Sequence, residues 1–307
     1  MKRIAIIIPC FNEEENIASV HHALVREAEK VKNFSFEFLF IDNGSSDRSR
    51  IEIMRIHRKD PRVKALFLSR NFGPEASIQA GFDHAKGDAA ILFACDLQEP
   101  DELIPIFIRK WQEGYDTVLG AYTKLIDPIW MRFFRKMFYR MMSRISEINI
   151  PTNCSGFGLY SRQILESMKE LPEKNRFARG IQAWVGFKTA YVPFERKARI
   201  HGKSSTSFMS YFRLAERSVF GFSYLPLDIL IYFGFILVLL SFLFIFGYIW
   251  FSLIYGNPIK GAITILVAIV FFGGINLLAI SIIGKYIQVI MDETKSRPTY
   301  IIEKKLN

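Results

Sequence analysis

Two stretches limit what this chain can become: residues 229–251 and 262–284 each run for 23 residues without a charged side chain. At about 1.5 Å per helical residue each reaches roughly 34 Å, against about 30 Å of bilayer hydrocarbon. Two such runs in succession are rarely both buried in protein, so a pair of transmembrane helices is expected. The segment 252–261 between them carries one lysine, Lys260, whereas long basic stretches flank the pair on both outer sides. By the positive-inside rule both termini, and the N-terminal part of the chain, then face the cytoplasm. A formal net charge of +10 over 307 residues suits either nucleic acid or an anionic membrane surface. With two spans present the membrane is the better account, and no nucleic-acid partner is expected. The same two windows are read as the reason for 29 phenylalanines.

Cys10, Cys95 and Cys154 are odd in number and lack metal-ligand spacing, so reduced thiols are expected. Met1-Lys2-Arg3 and a short apolar run mimic a signal peptide, but Pro9 ends the run too soon for export.

Upstream of the spans the pattern alternates. Apolar runs at 4–8, 36–41, 63–68 and 89–94 read as strands, and helical spacing follows three of them, at 17–28, up to Ile56, and at 76–85. Strands alternating with helices of this length imply an α/β fold with a mostly parallel sheet. Three strands end in polar groups: Asn12 with Glu13, Asp42 with Asn43, and Asp96 with Gln98. In an open α/β sheet the carboxyl ends of the strands form the crevice where ligands bind. A carboxylate there can take ribose hydroxyls or a base N–H. Asp96 and Gln98, two apart in extended chain, project to one side and can offer hard oxygens to a divalent cation. Taken singly, each pair also reads as a turn or a helix cap, with Ser46 or Asp47 capping the second helix. Neither a Gly-x-Gly-x-x-Gly nor a Walker loop occurs, which leaves dinucleotide binding and ATP hydrolysis unsupported.

The ordered set Pro9-Cys10-Phe11-Asn12-Glu13-Glu14, Asp42-Asn43-Gly44-Ser45, Arg70-Asn71-Phe72-Gly73 and Asp96-Leu97-Gln98-Glu99-Pro100 resembles the motifs of glycosyltransferase family 2. Within it, the likeness is to the polyprenyl-phosphate sugar transferases and extends to the paired C-terminal spans. The resemblance implies a GT-A (Rossmann-like) catalytic domain, a nucleotide-sugar donor, Mg2+ or Mn2+, inversion at the anomeric carbon, and a homo-oligomer, a tetramer by likeness. Carried over by position, Pro9, Phe11, Glu13, Asp42, Asn43 and Arg70 belong to the nucleotide-sugar pocket. Asp96 and Gln98 would ligate the metal; the expected catalytic residues are Asp96, Arg132, Arg135 and Arg199. Arg199 and Lys203 stand in a loop, 199–204, that would close over the diphosphate. The chain departs from the family pattern at Asn43 and Ala94, where acids are usual, and at Gly156-Phe157-Gly158, where many members have Asp-Phe-Arg and others Ser-Gly-Phe.

A lipid phosphate acceptor, with a second pKa near 6, is already an anion and needs no general base to attack. It needs cations to hold it beside a second phosphate-bearing substrate. Residues 130–148 interleave Arg132, Arg135, Lys136, Arg140 and Arg144 with a helical apolar stripe, as an interfacial helix does. Arg132, Arg135, Arg140 and Ser155 are therefore the expected acceptor-phosphate residues; a core helix with a solvated basic face is the plain alternative. A second such helix is expected at 208–222, with Arg213 and Arg217 at lipid headgroups. The expected domains are 1–225 (cytoplasmic and catalytic), 226–290 (membrane) and 291–307 (a tail). A strand at 298–303 in that tail is expected to pair with a neighbouring subunit. The leading expectation is one sugar moved from a nucleotide diphosphate to undecaprenyl or a similar polyprenyl phosphate, for surface glycan or O-antigen modification. The rival is a non-catalytic membrane scaffold with a degenerate fold. A processive synthase is set aside for want of spans and of Gln-x-x-Arg-Trp: Gln182 is followed by Ala183-Trp184-Val185-Gly186.

Overall fold

The structure is a computed structural model, which describes residues 1–124, 154–171, 178–195, 225–255, 261–295 and 297–307. The chain forms two compact units, one holding a mixed sheet and its helices, the other two long apolar helices.

The first unit begins with β1 (Lys2–Cys10), α1 (Ile17–Glu29), β2 (Phe34–Asp42), α2 (Ser49–Lys59), β3 (Val63–Leu68), α3 (Pro74–His84) and β4 (Ala89–Leu92). It continues through α4 (Ile104–Gln112), β5 (Thr117–Lys124), β6 (Cys154–Ser161), α5 (Arg162–Glu170), α6 (Ala178–Val185) and β7 (Thr189–Glu195), and the chain's last strand, β8 (Ile302–Leu306), returns to it. The sheet order is β7-β5-β6-β4-β1-β2-β3-β8. β4, β1, β2 and β3 are parallel to their neighbours within that group, and β7 is parallel to β5. β6 and β8 run against their partners. This is the mostly parallel GT-A arrangement expected.

β1 is buried through Ile4, Ile6 and Ile8 on one face and Ala5 and Ile7 on the other, which is why it reads as a continuous apolar run rather than an alternation. Aromatic side chains fill the layer under β4 and β6. Phe157 lies 4.9 Å from Phe107, 5.6 Å from Phe93 and 5.7 Å from Phe194 between ring centroids, all edge-on. Ten phenylalanines are buried in this unit, against eight within the two uncharged windows, so the phenylalanine excess belongs to the sheet's core as much as to the long helices.

Two readings of the sequence are corrected. β4 stops at Leu92 rather than at Ala94, and residues 95–97 form a turn in which Leu97 has φ of 52°. The side-by-side placement argued from extended chain does not apply to Asp96 and Gln98; a turn relates them. The tail strand lies at Ile302–Leu306 and pairs antiparallel with β3 of its own chain, Ala65 facing Leu306 and Leu68 facing Ile302. The parallel core leaves β3 with an open edge close to where the tail returns, and the tail satisfies it. Lys304 and Lys305 then guard the new edge.

In the second unit, α7 (Leu225–Tyr255) and α8 (Ala262–Thr294) are long and apolar enough to cross a membrane over Leu227–Tyr255 and Ala268–Thr294. Among the described residues their most apolar windows are not buried against protein, unlike the mostly buried core helix of a soluble protein.

Candidate active site

The site is assembled from the turns that follow β1, β2, β3 and β4, which parallel topology brings to the same end of the sheet. The first three turns are stitched together. Asn12 sits at φ 54°, its N–H donates to Ser45 Oγ at 2.9 Å, and its Oδ1 accepts from Ser46 N at 2.9 Å. Glu13 N–H donates to Ser49 Oγ at 2.9 Å, and the Glu13 carboxylate accepts from the Asn16 amide. Asp47 accepts from Ser49 N at 2.9 Å and from Glu14 N at 3.1 Å, anchoring the start of α2 across to the first turn. Gly44, at φ 73°, is required here: a Cβ would come within 2.4 Å of the Arg70 backbone carbonyl carbon.

Asn43 explains its own departure from an acid. It is 3% exposed, donates from Nδ2 to Asn71 Oδ1 at 3.1 Å and to Gly73 O at 3.0 Å, and accepts from Phe72 N at 3.0 Å. A carboxylate could accept the last bond but would face two oxygen acceptors with no proton to give. Asp42 is fully buried; it accepts from Arg50 Nε at 2.7 Å and Ser45 N at 3.2 Å. Pro9 lies within β1 opposite Ile41. The accessible members of the expected donor set are Phe11 (36% exposed), the half-buried Glu13, and Arg70, which is exposed and stacked 4.0 Å from the Phe72 ring.

In the fourth turn Asp96 is 7% exposed and its Oδ1 accepts from Gln98 N at 3.3 Å. Glu99, which stands in the motif but had no role assigned to it from sequence, is buried and accepts from Ala94 N at 3.3 Å, closing the turn on itself. The thiols register the charge gathered here. Burial first, then the carboxylates of Glu13, Asp96 and Asp47, pushes the Cys95 thiol well up; burial, then Cys95, Asp42, Glu13 and Asp47, does the same to Cys10. Both thiols are protonated and inert as nucleophiles.

Among the described residues no group of three or more His, Cys, Asp or Glu side chains is arranged to hold a metal. Asp96 and Gln98 nevertheless fit Mg2+ or Mn2+ of the kind that takes one or two protein oxygens and draws its remaining ligands from phosphates and water. Their donors are hard oxygens.

At β6, Gly156 has φ 90° and a Cβ on Gly158 would lie 2.3 Å from Val118 O. Asp-Phe-Arg cannot be accommodated on this backbone; Ser155-Gly156-Phe157 can, with Gly156 O accepting from Tyr160 Oη at 2.7 Å. Ser155 lies in β6, the neighbour of β4. Arg132, Arg135, Arg140, Arg199 and Lys203, and the expected helices at 130–148 and 208–222, lie outside the described residues.

The profile of Glycosyl transferase family 2 matches residues 5–168, more than half of the chain. The chain belongs to this family. It is a glycosyltransferase, and relatives extend the likeness beyond the family profile. It is 40% identical over 303 residues to the bactoprenol glucosyl transferase of Shigella phage SfII, covering 98% of both chains. It is 35% identical over 300 residues to an uncharacterized glycosyltransferase of Synechocystis sp., covering 97% of this chain and 94% of the relative. Among solved structures, glucosyl-3-phosphoglycerate synthase from Mycobacterium tuberculosis in complex with UDP is similar at a TM-score of 0.48 and 19% identity, over 71% of this chain and 79% of that one. Against the family pattern, Asn43 and Gly156 are built into their surroundings rather than being eroded positions. The scaffold reading is not favoured.

Proposed function

We propose that this glycosyltransferase moves one hexose from a UDP-linked donor to a polyprenyl phosphate of the undecaprenyl type, at the cytoplasmic face of a membrane. The observation that carries the reading is the 40% identity, over 98% of both chains, to a relative named bactoprenol glucosyl transferase. The two long apolar helices would supply the membrane attachment such an acceptor needs, and the basic flanks favour both termini on the cytoplasmic side.

Phe11, Glu13 and Arg70 are the side chains open to the nucleoside, on turns whose shape Pro9, Asp42 and Asn43 maintain. Asp96 and Gln98 would hold Mg2+ or Mn2+. When bound, the cation supplies positive charge against the diphosphate leaving group. Arg199 and Lys203 would close over the same diphosphate. Arg132, Arg135 and Arg140, with Ser155, would present the acceptor phosphate, whose existing negative charge lets it attack without a carboxylate base at position 156. Displacement by that anion from the face opposite the diphosphate inverts the anomeric centre. Assembly as a homo-oligomer, a tetramer by the family likeness, completes the reading. The product lipid would serve surface-glycan modification.

Membranes carrying the protein, incubated with undecaprenyl phosphate and a panel of labelled UDP- and GDP-hexoses, test it. A labelled lipid with one UDP-hexose, abolished by EDTA, is expected. No lipid product with any donor, together with no metal-dependent affinity for nucleotide sugars, would return the scaffold reading.

A further inference from the structure

Arg50 sits in the first turn of α2. Its guanidinium joins three separate segments of the chain. Nε donates to the fully buried Asp42 at 2.7 Å, one terminal nitrogen donates to Leu68 O at 2.7 Å, and the other donates to Glu303 Oε2 at 2.8 Å. These partners are the last residue of β2, the last residue of β3 and the second residue of β8. A planar fork presents these three acceptors with three separate nitrogens in fixed directions, whereas a lysine's three donors share one nitrogen.

The tail that carries Glu303 is fixed at further points. Ile301 O accepts from Ser69 N at 3.0 Å, immediately before Arg70, and Tyr300 Oη donates to Asp83 Oδ2 at 2.9 Å. Lys305 Nζ lies 3.2 Å from His84 Nε2. Asp42 passes the constraint on: it accepts from Ser45 N, Ser45 Oγ accepts from Asn12 N, and the turns after β1 and β2 are thereby set relative to each other.

We propose that Glu303 and Arg50 are positioning residues for the donor-side turns, so that the segment following the second long helix is part of what shapes the nucleotide pocket. The inference rests on the donor reading given above. An ion pair with a half-exposed carboxylate contributes little by itself, and Glu303 is 53% exposed. Its effect here comes from orienting a cation whose other partner is a buried carboxylate, where misalignment leaves Asp42 short of a hydrogen bond.

The test uses the full chain in nanodiscs, with Glu303→Gln as the mild variant, Arg50→Lys as the charge-preserving one, and the double variant. Amide hydrogen exchange without ligand is read at residues 43–48, and affinity is read with UDP-glucose and Mn2+ as the probe. Glu303→Gln should speed exchange at 43–48 and weaken UDP-glucose by about fivefold, the upper end for an exposed ion pair. Arg50→Lys should weaken it more, and the double variant should match Arg50→Lys, because both act through one guanidinium. In turnover the loss should fall on the donor KM and leave the KM for polyprenyl phosphate unchanged. The proposal is overturned if exchange in Glu303→Gln rises only within β8 and β3, or if the two substitutions add. The exchange and binding readouts need no lipid product, so a wild-type protein that makes none would count against the transfer reading while these measurements still decide this one.

Discussion

The sheet unit and the long-helix unit solve the same problem, what to do with phenylalanine and isoleucine, in opposite ways. In the sheet unit Phe38, Phe40, Phe67, Phe93, Phe107 and Phe157 are almost wholly buried and the polar groups at strand ends bond to one another. In the other unit Phe235, Phe244 and Phe246 are exposed at 67–71%. The first arrangement hides its apolar surface within itself; the second leaves it open, as a helix that crosses a membrane does. A substitution should therefore be felt in one unit through lost bonds and strain, and in the other through insertion.

The largest effect is expected from Asp96→Asn. On the proposed role, in which its carboxylate holds the cation set against the leaving diphosphate, it should lower turnover at least about 100-fold, while thermal unfolding of the sheet unit stays close to wild type. Full turnover with Mn2+ present would remove Asp96 from the chemistry. Gly44→Val comes next: with Arg70 backbone 2.4 Å from the added carbon and φ at 73°, a loss of about 3 kcal/mol or more is expected in denaturant melts. On the other side of the comparison, Leu278→Lys in α8 should cost about 3–4 kcal/mol in membrane insertion, read as protein lost from the membrane fraction. Equal recovery of that variant would mean that α8 does not sit in hydrocarbon. Asn43→Asp trades two donated bonds for repulsion and should cost about 2 kcal/mol, read as a lowered unfolding midpoint with a raised donor KM.

The smallest effect concerns pH. Burial holds the His84 imidazole below its ordinary pKa, with Lys305 and Lys169 adding to this and the Ala80 carbonyl and Asp83 opposing it. A base with a depressed folded pKa binds fewer protons folded than unfolded, so its contribution is complete above about pH 6.5 and declines as pH falls below that. Wild type should lose slightly more unfolding temperature than His84→Gln between about pH 7.5 and 5.5. Identical curves would show that the tail's contact with α3 does not respond to protonation.

The parallel half of the sheet was legible because buried strands are continuous apolar runs with polar stops, and β3 was read at its observed bounds, Val63–Leu68. Where the reading slipped, the deciding force was not local. Phe93 and Ala94 look like strand, but β6 pairs with β4 only as far as Leu92 opposite Gly158, and the Glu99 carboxylate claims Ala94 N. The motif residues were found by position, yet no sequence pattern distinguishes Asp42, which faces Arg50, from Glu13, which is partly open. Arg50 and Glu303 were invisible for the same reason: they are 253 residues apart, and their pairing depends on the returning tail.

That return also imposes an order of manufacture. The ribosome finishes β3 long before it reaches β8: 234 residues separate Leu68 from Ile302, and both long helices must emerge in between. At ordinary translation speeds the edge of β3 waits on the order of 10–50 s for its partner. A nascent chain is thus held without its final clasp until both apolar helices have been made.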